Sequence, residues 1–314
     1  MADVTSQRYV LGDWGTSRLR LSLLDGDLVA DTCNGPGIAS LAAVPIESRV
    51  QTLASLVARW TDAARPVRVL LCGMAGSRNG LLEVPYTVLP ADAAAWSRES
   101  RTVYTRSMHI TIAAGVRSSN DVMRGEETQI FGAMQLDPEL HNATGVLLLP
   151  GTHSKWVQIS GGSITGFRTA ITGELYALLH DHSTLLKTDR TARVADCESL
   201  DERNSGFGAG VERSANLNGG LPAALFETRT AQLLDHRSKS WAAGYLSGLL
   251  IGHEIASMSE AFHGVAPIRI IGDPRLTSLY QAAFATRASE MPTLDGAACA
   301  IAGLRFLRDH PARN

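Results

Sequence analysis

Arg18-Leu19-Arg20-Leu21-Ser22-Leu23-Leu24 alternates polar with apolar side chains, the period of a half-buried β-strand. A short apolar run, Tyr9-Val10-Leu11, precedes it, and the polar, glycine-bearing stretch 12–17 lies between them. Asp25-Gly26 follows, a strong turn dipeptide, with another short strand expected over 27–30. The chain is therefore expected to open as a β-hairpin. Val50, Leu53, Leu56, Val57 and Trp60 recur at helical spacing across 46–63. Pro66 introduces 67–71, rich in Val and Leu, which reads as a buried parallel strand. Residues 111–116 predict a strand and 128–136 a helix, which Asp137-Pro138 stops.

The order then recurs. Gly145-Val146-Leu147-Leu148-Leu149 predicts an apolar strand, 150–155 a turn, and 156–159 a returning strand. Gly161-Gly162 predicts a hairpin turn into a strand over 163–167. A helix is expected from Thr172 to Leu179, an apolar helix over 245–258, a buried strand over 267–271, and helices over 275–284 and 296–307. Each half thus begins with a strand, a small-residue turn carrying Gly-Thr, and a strand that returns. This is a repeat of architecture rather than of sequence. The expected domains are 1–138 and 139–314, the second with a helical insertion near 181–240.

A chain of 314 residues is long enough for two domains. Hydrophobic residues make up 45% and charged residues 19%, an ordinary balance for a globular protein with a sizeable core. The formal net charge is −2, with none of the basic bias that marks nucleic-acid binding. Apolar runs such as 146–149 and 245–251 are too short to span a bilayer. No secretory leader is evident at the N-terminus. Cys33, Cys72, Cys197 and Cys299 form no C-x-x-C pair, so reduced thiols in a cytoplasmic protein are expected. Cys72 and Cys299 lie in apolar surroundings and read as buried.

The two turns carry the first chemistry. In Asp13-Trp14-Gly15-Thr16-Ser17, a tight turn presents consecutive backbone N–H groups, a shape that binds phosphate oxygens. Thr16 and Ser17 add hydroxyls, and Asp13 is placed to hold Mg²⁺ through water. In Gly151-Thr152-His153-Ser154-Lys155, the same backbone comes with hydroxyls and a cation: Lys155 can neutralise a phosphate, and His153 can orient a phosphate or an acceptor hydroxyl. Gly272-Asp273-Pro274 ends a strand and begins a helix. Gly272 allows a base or ribose to lie against backbone, while Asp273 reads foremost as a helix cap. Phe207-Gly208-Ala209-Gly210-Val211 reads as close packing or a hinge rather than a phosphate loop. His180 and His182 lack a third partner at ligand spacing and read as structural or exposed.

LGDWGTSRLRLSLLD resembles the first phosphate motif of the actin–hexokinase–Hsp70 superfamily, PGTHSKW stands where its second phosphate motif falls, and IRIIGDPRLTSLYQAAF where its adenosine motif falls. With CGMAGSRNGLLEVPY, MRGEETQIFGA, TAITGELYALL and GYLSGLLIGHEIA, the chain resembles the 2-dehydro-3-deoxygalactonokinase family almost end to end, most faintly across 181–240. The resemblance implies an α/β, two-domain actin-like ATPase fold (ribonuclease H-like), with mixed sheets and helices in each domain. It implies ATP and Mg²⁺ as cofactors and phosphorylation of 2-dehydro-3-deoxy-D-galactonate to its 6-phosphate in D-galactonate catabolism. It also places Glu126 and Glu127 where related proteins carry a catalytic carboxylate. The choice between them, and His153, stays open, as does a purely helix-stabilising role at a positive helix N-terminus. An anionic keto acid calls for Arg, and Arg78, Arg124 and Arg168 are the candidates, with Glu83 and Tyr86 for its hydroxyls. Partners are then small molecules, with no nucleic acid and no membrane; a homodimer is compatible with this. Rival readings are a phosphatase or exopolyphosphatase of the same fold, a kinase for another keto-deoxy sugar acid, and a non-catalytic nucleotide switch.

Overall fold

A computed structural model of the chain describes residues 8–61, 66–187, 199–265, 267–285 and 291–311. Cys197, the end of the first expected helix at 62–63, and residues 188–198 of the expected insertion lie outside these.

The elements run, in chain order, β1 (Arg8–Trp14), β2 (Arg18–Asp25), β3 (Leu28–Pro36), α1 (Ile46–Val57), β4 (Val67–Gly73), β5 (Tyr86–Val88), β6 (Ala91–Asp92), α2 (Ala93–Glu99), β7 (Arg101–Tyr104), β8 (Met108–Ile112), β9 (Gly115–Arg117), β10 (Val122–Met123), α3 (Glu126–Leu136) and α4 (Pro138–Asn142). They continue with β11 (Thr144–Leu149), β12 (Ser154–Ser160), β13 (Ser163–Ala170), α5 (Thr172–His182), α6 (Leu200–Ser214), α7 (Gly220–Leu234), α8 (Lys239–Ala261), β14 (Pro267–Gly272), α9 (Pro274–Ala285), β15 (Thr293–Asp295) and α10 (Gly296–Asp309). The chain divides into two compact units. Unit 1 comprises residues 1–144, 157–167 and 294–314; unit 2 comprises 145–156 and 168–293.

In unit 1 a six-stranded sheet has the order β3-β2-β1-β4-β8-β7. The opening hairpin forms as expected: β1 and β2 are antiparallel, with Asp13 opposite Arg20. β1 then pairs in parallel with β4, which pairs in parallel with β8. Val10, Leu19, Val69, Leu71 and Ile112 are each fully buried between these strands and their neighbours. Two expectations are corrected. Asp13 and Trp14 belong to β1, so the turn proper is 15–17. The apolar run 111–116 is not one strand: β8 ends at Ile112, and β9, from Gly115, pairs with β5 and β10 in a separate three-stranded sheet. The aromatic ring of Tyr86 occupies the space where a Gly115 side chain would stand.

α3 and α10 pack closely in unit 1. A Cβ on Gly132 would collide with the Cys299 carbonyl, and one on Gly303 with the Thr128 carbonyl. Cys72 and Cys299 are both buried, as expected.

In unit 2, β11 and β14 are parallel neighbours. Trp156, Ile255, Ile270, Tyr280 and Phe284 belong to one core around them. α6 and α8 approach backbone to backbone. Gly206 and Gly210 of α6 face the Trp241 and Tyr245 carbonyls, while Gly244 and Gly248 of α8 face those of Arg203 and Phe207. Within the glycine-rich segment 207–211, Gly210 serves close packing, one of the two roles its sequence suggested, while a Cβ on Gly208 would meet nothing within 4 Å. Among the described residues no helix is long and apolar enough to cross a membrane.

Candidate active site

In unit 1 the site forms where the parallel strands β1 and β4 end side by side, Asp13 beside Cys72 and Trp14 beside Gly73. Ligands of open α/β sheets bind beyond such carboxyl ends. The 15–17 turn is braced from behind: Ile38 N–H donates to the Gly15 carbonyl (3.1 Å), and Ala39 N–H to that of Thr16 (3.0 Å). Thr16 and Ser17 are left exposed. Asp13 faces Arg20 at 3.6 Å and keeps 26% of its side-chain exposure. Burial pushes its carboxyl above the usual range, Arg20 opposes that, and Glu126 adds to it.

Gly125 brings α3 to the same place. Its φ of +114° is one that only glycine adopts easily, and a Cβ there would stand 3.2 Å from the Gly73 Cα. Both glutamates fold back on the helix start. Glu126 Oε2 accepts the Arg124 N–H (3.0 Å). Glu127 accepts the Gly125 N–H on both oxygens (2.9 and 2.8 Å) and the Thr128 hydroxyl (3.1 Å). Both carboxyls thus satisfy backbone N–H groups at the helix start. Their environments differ sharply, however. Glu127 is fully buried, and burial first, then the nearby Glu126, pushes its carboxyl from 4.5 up to about 8. Glu126 is only partly buried.

Arg124 lies 4.1 Å over the Tyr86 ring centroid, and its Nη2 donates to the Val84 carbonyl (2.7 Å). Its Nε and Nη1 are buried and have no hydrogen-bond partner among the described residues. Gly76 makes room for it: a Cβ there would be 2.7 Å from Nη1. Asp13, Glu126, Glu127, Arg124 and Tyr86 are thus gathered in one region. Arg78 and Glu83 are both exposed and pair with each other at 3.7 Å. Arg168 was expected just past a strand end or turn; it sits inside β13, with its side chain exposed.

In unit 2 the turn 150–153 joins β11 to β12, and its neighbours are built from backbone. Gly173, at the start of α5, packs on the Gly151 carbonyl, and Glu174 N–H donates to the Thr152 carbonyl (3.0 Å). His153 Nε2 lies 2.6 Å from Glu174 Oε2. Lys155 is 3% exposed, and its Nζ donates to the His153 carbonyl (3.0 Å). Gly272, at the end of β14, borders the same turn: a Cβ on it would be 3.7 Å from Pro150. Asp273 Oδ1 accepts the Arg275 N–H (3.0 Å), the capping role its position suggested. Gly151, Thr152, His153, Lys155, Gly272 and Asp273 therefore share one end of unit 2. Glu174 was not singled out from the sequence, although a Gly-Glu pair opening a helix was the available signal.

No group of three or more His, Cys, Asp or Glu among the described residues is placed to hold a metal ion; His180 instead pairs with Asp181 at 2.6 Å. A lone carboxylate such as Asp13 suits Mg²⁺, which keeps most of its waters and takes one or two carboxylates plus phosphate oxygens.

A family model described as 2-keto-3-deoxy-galactonokinase matches residues 13–307. The chain is 33% identical to the 2-dehydro-3-deoxygalactonokinase of Escherichia coli (strain K12), over 96% of this chain and 97% of that one. It is 30% identical to a Rhizobium meliloti (strain 1021) protein assigned the same activity, over 96% of each. A crystal structure of a protein assigned as a 2-dehydro-3-deoxygalactonokinase, from Sinorhizobium meliloti, superposes with a TM-score of 0.81 at 29% identity, covering 95% of this chain and 97% of that one. The ADPNP-bound activator of 2-hydroxyisocaproyl-CoA dehydratase from Clostridium difficile shares the fold at a TM-score of 0.52 and 12% identity, over 96% and 95% of the two chains. The architecture is the α/β actin-like ATPase fold, and the chain belongs to the 2-keto-3-deoxy-galactonokinase family.

Proposed function

We propose that the protein transfers the terminal phosphoryl group of ATP to the 6-hydroxyl of 2-dehydro-3-deoxy-D-galactonate, a step of D-galactonate breakdown. One observation carries this reading. The family match over 13–307 takes in Asp13 and its turn, the 124–127 segment, the 151–155 turn and Gly272-Asp273. The two compact units, rather than a single cut at 138/139, stand as the two ATPase lobes.

Mg²⁺-bound ATP supplies the phosphoryl group and the cation that neutralises its charge. The chain's own residues bind and orient. In unit 1 the backbone N–H groups and hydroxyls of Gly15, Thr16 and Ser17 are suited to phosphate oxygens, and in unit 2 those of Gly151 and Thr152 are suited to the same chemistry. His153, held by Glu174, and Lys155 add positive or donor character beside the second turn. Gly272 leaves backbone open to the nucleoside. Asp13 holds the cation: a carboxylate that burial disfavours gains most from a divalent partner. Arg124 takes the substrate carboxylate through its guanidinium, two of whose nitrogens, Nε and Nη1, no other described group satisfies. Tyr86 fixes the guanidinium from one face. Glu126 accepts the proton of the attacking hydroxyl. Glu127, buried and protonated at neutral pH, holds the Gly125 turn.

Incubation of the protein with Mg²⁺-ATP and a panel of keto-deoxy sugar acids, followed by ³¹P NMR, tests the proposal. One new phosphomonoester per ADP, with 2-dehydro-3-deoxy-D-galactonate as preferred acceptor, is the expected result. Release of inorganic phosphate alone would transfer the protein to the phosphohydrolase reading.

A further inference from the structure

A buried carboxylate in unit 2 has no part in the mechanism above. Glu254 of α8 is 4% exposed. Its Oε1 accepts the Trp156 indole N–H (2.8 Å), and its Oε2 accepts the Tyr280 hydroxyl (2.7 Å). Ser154 Oγ lies 3.1 Å from the Tyr280 hydroxyl, and Thr172 and Ser154 are near enough to hold the Glu254 carboxyl down against the upward push of burial. Ser154 and Trp156 are fully buried, and Tyr280 is 2% exposed. A carboxylate removed from water is costly unless its oxygens are satisfied, and here donors from β12 and α9 do so.

Where these residues sit decides what the carboxylate does. Ser154 follows directly on the 150–153 turn. Thr172 opens α5, whose next two residues touch that turn through the Gly151 and Thr152 carbonyls. Tyr280 lies on α9, which starts immediately after Gly272-Asp273. Two segments that border the proposed nucleotide position, β12 and α9, thus converge on a single side chain from α8, with the start of α5 beside them. An apolar residue of the same volume would fill the space as well, but it would leave the two segments without a common reference point.

We propose that Glu254 is a positioning residue for the nucleotide: by holding Trp156 and Tyr280 on one carboxylate, and Ser154 through the Tyr280 hydroxyl, it fixes the 151–153 turn against the Gly272-Asp273 loop, and so sets affinity for ATP without touching it. This rests on the nucleotide reading of unit 2. The charge need not titrate in the working range for the role to hold, because the role is geometric.

The test uses the full-length protein and two variants. Glu254→Gln keeps the shape and alters the acceptor set, and Tyr280→Phe removes only the hydroxyl that links Ser154 to Glu254. ADP affinity by calorimetry and the KM for ATP are expected to weaken roughly 10-fold in E254Q and roughly 3-fold in Y280F, with the KM for the sugar acid within about 2-fold of the parent. Gly248→Ala, which loosens α6 against α8, serves as a control for stability loss alone. It lowers the melting temperature and leaves the KM for ATP in place. If E254Q and Y280F behave as that control does, or shift both KM values equally, Glu254 is merely structural and the proposal is overturned. If E254Q does not fold, Y280F decides. If the unaltered protein binds no ADP, the nucleotide reading itself fails, and this inference falls with it.

Discussion

Glu126 and Glu127 are adjacent in the chain and chemically unlike in the fold. Glu127 is fully buried, with its carboxyl raised to about 8, so at neutral pH it carries a proton and cannot take one from a substrate. Glu126 is the residue left to act as base, and Glu126→Gln should lower kcat by roughly 10²–10⁴-fold with small changes in both KM values; a steady-state comparison at pH 7.5 checks this. Glu127 makes a separate prediction. Its folded value lies above the ordinary 4.5, so across the interval the folded state holds a proton that the unfolded chain has lost. Stability is then fully present below about 4.5 and falls as pH rises towards about 8. Glu127→Gln removes that dependence. Relative to the parent it should gain roughly 2–5 kcal/mol between the two ends of the window, read from urea unfolding at pH 5 and pH 8.5. A constant difference between the two proteins would mean that Glu127 is ionised throughout. Arg124 adds a third test at this scale. Lys keeps the charge but loses the fork and the stacking on Tyr86, so Arg124→Lys should raise the KM for the sugar acid roughly 10–100-fold and leave the KM for ATP nearly unchanged.

At the scale of elements, the site depends on where α3 begins, and α3 is seated on α10 through Gly132 and Gly303. A Cβ at either position meets a backbone carbonyl of the other helix, which cannot move aside as a side chain does. Gly132→Val should destabilise the protein by roughly 1–3 kcal/mol or more, seen as a lower denaturant midpoint with an unchanged slope. The helices themselves were legible from apolar spacing, and so was the opening hairpin from its alternation and Asp-Gly turn. Of their glycine contacts, the segment 207–211 pointed to that of Gly210 alone. Gly132 is the one glycine of α3, and Gly303 shares α10 only with Gly296 at its first position, so neither carries a local pattern. The break at Ala113-Ala114 was hidden because an apolar run reads the same whether it continues in one sheet or passes to another. Glu254 was hidden for a related reason: an acid in a strongly apolar stretch of helix gives no indication that side chains from β12 and α9 will converge on it.

For the molecule as a whole, the sequence motifs fell into two sets, and the fold keeps the sets in separate compact units. Asp13, Arg124 and both glutamates lie in unit 1; the 151–155 turn and Gly272-Asp273 lie in unit 2. That partition was readable because each half opens with the same strand–turn–strand order. The intricacies of unit 1's boundary were not: its segments at 157–167 and 294–314 are joined to it by tertiary contacts that no local pattern encodes. The two ligands are separable by the segments they touch. A ligand that binds only the folded state suppresses local opening where it binds. ADP alone should therefore slow amide exchange first around 15–17, 150–155 and 272–277, and the sugar acid alone around 73–86 and 124–128. Hydrogen-exchange mass spectrometry at matched saturation reads both regions in one experiment. Protection of the 124–128 amides by ADP and not by the sugar acid would remove Arg124 from the substrate site, because its unpartnered guanidinium donors are the feature that places the carboxylate there.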